Sequence, residues 1–168
     1  MNIELIMKTN FLFLFCCLNV SLAFSQIENP VHWNFTANKI NDKQYEIHLR
    51  ATMDHSWHLY AQAQPKDAIA QPTLIKFSKN PLLIISGKPK EKGRKEKYEN
   101  KEVGISAWQY AGSIDFVQTI AVKSFDKFSA KSGTGSTKIN ISGTITYQTC
   151  TEERCLPPKT INFSIPLN

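Results

Sequence analysis

Apolar and polar residues alternate with period two along most of the chain, and no other feature of the sequence constrains its fold as tightly. Val31, Trp33, Phe35 and Ala37 alternate with His32, Asn34 and Thr36. Tyr45, Ile47, Leu49 and Ala51 alternate with Glu46, His48 and Arg50. Ile114, Phe116, Ile120 and Val122 share one face, with Gln118 as the polar exception. Ile139, Ile141, Gly143, Ile145 and Tyr147 oppose Asn140, Ser142, Thr144 and Thr146, and Ile161, Phe163, Ile165 and Leu167 oppose Thr160, Asn162 and Ser164. Successive side chains of a strand point to opposite faces, so each segment is expected to be a strand with one buried and one wet side. Shorter strands are expected at 73–77, 82–86 and 105–110, with turns at Lys79-Asn80-Pro81 and Ala111-Gly112. About eight strands punctuated in this way predict an all-β sandwich, with a closed barrel as the second choice. Residues 54–71 carry Gln64-Pro65 and Gln71-Pro72 and are expected to form a loop. No internal repeat and no linker divides the chain, so one domain is expected.

That domain is expected to start after an export signal. Lys8 precedes the apolar run from Phe11 to Leu18, and small residues follow around Ala23-Phe24-Ser25. A basic start, a short apolar stretch and an Ala-x-Ser site form a secretory signal peptide over residues 1–25, leaving a domain over 26–168. The run is shorter than the roughly 20 residues that span a bilayer, which counts against the rival reading, an uncleaved membrane anchor. Met7 is an alternative start to Met1. Export to the periplasm, an oxidising compartment, permits a disulfide. No insertion into the membrane is expected once the signal is removed.

The formal net charge of +6 survives cleavage, because Glu4 and Lys8 leave together. Much of the excess lies in residues 88–97, where Lys88, Lys90, Lys92, Arg94, Lys95 and Lys97 crowd around Pro89 and Gly93. This stretch is expected to be a solvated hairpin loop. An exported chain rarely meets nucleic acid, and no aromatic residue interrupts the run to stack on a base, so nucleic-acid binding is not expected.

Removal of the signal leaves two cysteines, Cys150 and Cys155, in the sequence Thr149-Cys150-Thr151-Glu152-Glu153-Arg154-Cys155-Leu156-Pro157-Pro158. A strand enters Cys150 and another follows the second proline, so the pair is expected at a turn between adjacent strands. A disulfide closing so short a loop removes about 2 kcal/mol of unfolded-chain entropy, against roughly 4.7 for a 100-residue loop. Strand pairing already closes the turn, so the bridge adds little as a staple. An exposed local bridge is also reachable by a partner's thiolate. Redox function and a structural bridge both remain open on spacing alone. Arg154 favours a thiolate at Cys155, Glu152 and Glu153 oppose it, and Pro157 and Pro158 stiffen the exit.

A third reading is metal binding by Met53, His55, His58 and the cysteines. The spacing of the two cysteines does not match the Cys-x-x-Cys knuckle of structural zinc sites, and histidines beside Trp57 and Tyr60 also serve as packing residues. No metal is therefore expected. No Ser/His/Asp set, phosphate loop or carboxylate pair stands out.

Ile145-Thr146-Tyr147-Gln148-Thr149-Cys150, a short polar loop and Cys155-Leu156-Pro157-Pro158 together resemble the redox motif of the N-terminal periplasmic domain of the DsbD thiol:disulfide interchange protein. Pro30-Val31-His32-Trp33, the segment from Ser56 to Gln62 and Gln71-Pro72-Thr73 extend the resemblance over nearly all of 30–168. It implies an immunoglobulin-like sandwich acting as a protein-disulfide reductase-type component. The cysteine pair would accept electrons from a membrane-embedded thiol reductase and pass them to periplasmic thioredoxin-fold proteins. By position, Cys155 resembles the cysteine that forms mixed disulfides, Cys150 the one that resolves them, and Tyr147 a residue lining the site. A monomer with no cofactor beyond its own sulfurs is expected. In the best-known member of the family a cap loop shields the pair with an aromatic residue. The corresponding stretch here offers Val103 or Glu102, with Tyr98 or Trp108 as substitutes. The family's transmembrane and thioredoxin-like parts do not follow in this sequence, which implies separate proteins that feed and drain the pair.

Overall fold

A computed structural model describes residues 28–123 and 139–167. The expected signal segment and its cleavage site lie outside the described residues. Among the described residues no helix forms, and none is long and apolar enough to cross a membrane. The chain is all-β, as the alternation requires.

Three sets of antiparallel strands make up the described residues. The first runs β1 (Val31–Asn41), β2 (Gln44–Met53), β9 (Ser113–Val122) and β5 (Leu83–Ile85), with β6 (Lys90–Lys92) also paired to β9. The second is β12 (Lys159–Leu167), β10 (Ile139–Tyr147) and β4 (Leu74–Phe77). The third is β11 (Thr149–Cys150), β3 (His58–Tyr60), β8 (Ile105–Ala111) and β7 (Lys95–Asn100). The apolar faces meet in one sandwich core, where Ile47, Leu49, Phe116 and Ile145 are each 0% exposed. Rings from opposing sheets interlock there: Trp33 lies 5.5 Å from Tyr147, and Phe35 lies 5.6 Å from Phe163. Burying such side chains stabilises the fold by about 1.5–3 kcal/mol each.

Gly143 has a packing reason for lacking a side chain. A Cβ there would sit 2.2 Å from the Lys76 carbonyl oxygen and 2.7 Å from Phe163 Cζ, so β4 and β12 close over β10 only at glycine. Both expected turns form. Asn80 accepts from the Leu82 and Leu83 amides through its side-chain and backbone oxygens, and Gly112 takes φ 69° between β8 and β9. Gln118 is buried on the apolar side of β9, and its amide nitrogen donates to the Ser86 and Thr119 carbonyls.

Two loop expectations need correction. Residues 88–97 do not form a solvated hairpin: they hold β6 and the start of β7, which pair with different partners, β9 and β8. Their lysines do face solvent, but Glu91 points inward and accepts from the Gln62 amide at 2.6 Å, the Tyr110 hydroxyl at 2.8 Å and Lys95 Nζ at 2.8 Å. An alternation of charged residues is still an alternation, and these strands follow it with glutamate on the inner side. Residues 54–71 are likewise not wholly loop. They contain β3, whose three residues are too few to display a period, yet which lies between β11 and β8.

Candidate redox site

After Tyr147 the chain leaves the second sheet. Thr149 and Cys150 then pair with Leu59 and His58, extending the third sheet. The Thr149 hydroxyl donates to the His58 carbonyl at 2.8 Å, and Gln148 ties the crossing point by accepting from the Gln71 amide at 2.9 Å. Cys150 is thus fixed by β3 as well as by its own strand. The expected turn between two paired strands, β10 and β12, is present, but it folds sideways onto β3.

Residues 151–154 reverse the chain. The Thr151 amide donates to the Arg154 carbonyl at 2.8 Å, and the Thr151 hydroxyl oxygen accepts from the Glu153 and Arg154 amides at 3.2 and 3.1 Å. The Leu156 amide donates to the Thr149 carbonyl at 3.0 Å. Cys150 and Cys155 therefore stand directly opposite as a bridge pair between two backbone hydrogen bonds, with Cα atoms 4.0 Å apart and a disulfide of 2.02 Å joining them. Opposed residues that exchange no backbone hydrogen bond bring their side chains closest, which suits a short cross-link.

The two sulfurs live in different surroundings. Cys150 is 2% exposed, packed with Tyr60 and Ala107 on the outer face of the third sheet, with Ala70 and Tyr98 against them. Cys155 is exposed. It borders a cleft of about 300 Å³ lined also by His58, Tyr60, Ile69, Tyr98, Ile105 and the 151–154 turn. Burial, and then the neighbouring Tyr98, push the Tyr60 hydroxyl upward in pKa, so it stays a neutral phenol.

Arg154 does not stand free beside Cys155. Its Nη2 donates to both Glu28 carboxylate oxygens, at 2.8 and 2.6 Å, and its guanidinium lies 5.2 Å from the Trp57 ring centroid. Tyr147 is 2% exposed, and burial pushes its hydroxyl upward in pKa. It packs on Trp33 and borders a groove with Arg154, Leu156, Pro157 and Pro158, not the cleft that Cys155 borders. Of the candidate cap residues, Tyr98 lines the cleft, Trp108 packs toward the main core, and Glu102 and Val103 are exposed in the turn between β7 and β8. Ile69, 80% exposed and part of the cleft lining, carries no strong signal in the sequence. A single large apolar residue in a proline-flanked loop was its one signal. The histidines do not converge: His55 Nδ1 lies 2.8 Å from the Ser56 hydroxyl, Met53 is buried, and His58 lines the cleft. Among the described residues no three His, Cys, Asp or Glu side chains gather as metal ligands.

No protein-family model matches the sequence, and no curated protein matches it. Among solved structures, the chain is similar to the N-terminal periplasmic domain of ScsB from Proteus mirabilis, with 15% identity and a TM-score of 0.48. That match covers 83% of this chain and 47% of the other, so the chain spans about half its length.

Proposed function

We propose that this chain is an exported thiol–disulfide interchange protein, a single domain over residues 26–168 that relays electrons through Cys150 and Cys155. The observation that carries the reading is the asymmetry across the disulfide, with one sulfur exposed beside a cleft and the other 2% exposed behind it. Exchange needs a sulfur that a partner can approach in line and a second sulfur held close enough to displace the partner. The Cys155 thiolate of the reduced domain attacks one sulfur of a partner's disulfide, forming a mixed disulfide and releasing the partner's first thiolate. Cys150, as thiolate, then attacks Cys155 Sγ. The Cys150–Cys155 bond re-forms, the partner leaves with its second thiol, and two electrons have moved to it. The same steps in reverse, with a membrane-embedded thiol reductase as donor, recharge the pair. Thioredoxin-fold proteins of the periplasm are the acceptors.

The backbone hydrogen bonds on either side of the bridge close the turn without the sulfurs, which disfavours the structural-staple reading. The test is covalent trapping in the periplasm. Cys150→Ala is expected to accumulate mixed disulfides through Cys155, and Cys155→Ala few or none. The reverse pattern would exchange the two roles. If neither variant traps a protein and the wild-type bridge resists a thioredoxin-like reductant, the bridge is structural.

A further inference from the structure

The segment 28–30 is tied to the cysteine turn from both sides. Glu28 holds Arg154, which precedes Cys155, and Asn29 Oδ1 accepts from Lys159 Nζ at 2.8 Å beyond the two prolines. The segment is itself anchored, since the Pro30 carbonyl accepts from the Asp54 amide at 2.9 Å. Trp57, 7% exposed, supplies the flat surface under the guanidinium, and its own amide donates to the Asp54 carbonyl at 3.1 Å. Asp54 thus fixes both the anionic and the aromatic partner of Arg154. Arg154 borders both the cleft that Cys155 lines and the hollow formed with Ser56 and Trp57, so its charge lies between two environments.

We infer that Glu28 is a positioning residue for Cys155: it draws the Arg154 charge toward Trp57 and so sets the acidity of the Cys155 thiol in the reduced protein. The inference rests on Cys155 being the reactive sulfur. An adjacent cation favours a thiolate, and a carboxylate that neutralises that cation removes the benefit. The other titratable groups around the cleft are His58 from β3, Tyr60, Tyr98 from β7, and Glu152 and Glu153 on the turn. None of them is tied to Arg154 by a side-chain bond in the way Glu28 is. With Glu28 in place the Cys155 thiol is kept less acidic, and the reduced pair a stronger reductant, than Arg154 alone would make it.

The test follows the rate of iodoacetamide alkylation at Cys155, read by peptide mass spectrometry, in the reduced exported protein carrying Cys150→Ala. Rates from about pH 5 to about pH 10 give the midpoint of thiolate formation, where half a pH unit is about a threefold change in thiolate below the midpoint. Glu28→Gln is expected to lower the midpoint by at least about half a unit, and Arg154→Gln to raise it. Glu28→Asp, which keeps the charge, should return toward wild type, and Glu28→Gln with Arg154→Gln should match Arg154→Gln alone. Thermal unfolding of each variant checks that the fold is intact. If Glu28→Gln leaves the midpoint unchanged, whether or not it lowers the melting temperature, Glu28 is only a structural tie and the inference fails. The assay uses no partner protein, so failure of the relay reading in the trapping experiment is seen separately.

Discussion

Between the sheets, Leu49, Phe116 and Ile145 are each sealed by side chains from several strands. On the outer face of the third sheet, Tyr60, Ala107 and Cys150 form a smaller buried cluster against which Ala70 and Tyr98 pack. The first cluster is redundant, because each strand contributes a row of residues. The second hangs on single long-range ties: Asp67 accepting from the Ser106 hydroxyl at 2.9 Å, Gln148 accepting from Gln71, and Glu28 holding Arg154. The contrast separates what holds the fold from what presents the sulfur. A substitution in the main core should cost stability, whereas one around the cysteine turn should change access and reactivity at nearly constant stability.

The largest effect should come from Phe116→Ala, which deletes a fully buried ring that stacks 6.1 Å from Trp33. A loss of about 3–5 kcal/mol is expected in denaturant unfolding of the oxidised protein. A cost below about 1 kcal/mol would mean that the core is not closely packed around this ring.

Glu91 sharpens the comparison from an intermediate position, since it braces Tyr110 and Lys95 and lies outside the sulfur's surroundings. Burial pushes its carboxyl up, but the Gln62 amide, Lys95 and the Tyr110 hydroxyl together outweigh this and hold it below its ordinary value of 4.5. Burial, and then the same bond, raise the Tyr110 hydroxyl well above its usual range. A carboxyl whose folded pKa is depressed stabilises the fold above its unfolded value, and that contribution is lost as pH falls through the folded value. Glu91→Gln should therefore cost about 1–3 kcal/mol at neutral pH and flatten the loss of stability on acidification below about pH 4.5. Equal acid slopes for the two proteins would remove Glu91 from the account.

Tyr98→Ala should give the smallest stability change, below about 1 kcal/mol, because the side chain is only partly buried. The rate at which a small thiol reduces the bridge should nevertheless rise severalfold, as the cleft beside Cys155 opens. Unchanged reduction with a large loss of stability would merge the two clusters into one.

Much of the fold was legible in the sequence, because a strand with one wet face writes its period into the residues. The five long alternating segments all form strands, and the expected turns at Asn80 and Gly112 hold. The misses have the same cause in different guises. At β3 the segment is too short for a period, and at β6 and β7 the alternating residues are charged and read as solvated. The resemblance named both cysteines, but the burial that distinguishes them comes from Tyr60, Ala70, Tyr98 and Ala107, contributed by β3, the loop that follows it, β7 and β8.

By itself, then, the sequence determined the class of the fold, the strands that face the core and the closeness of the two sulfurs along the chain, all of which are local properties of period and spacing. Only the tertiary structure decided that Cys150 is sealed while Cys155 is open, that Tyr147 turns toward Trp33 and away from the cleft, and that Arg154 is engaged by Glu28. Each of these depends on residues far apart in the chain meeting in space, and neither alternation nor spacing carries information about such meetings.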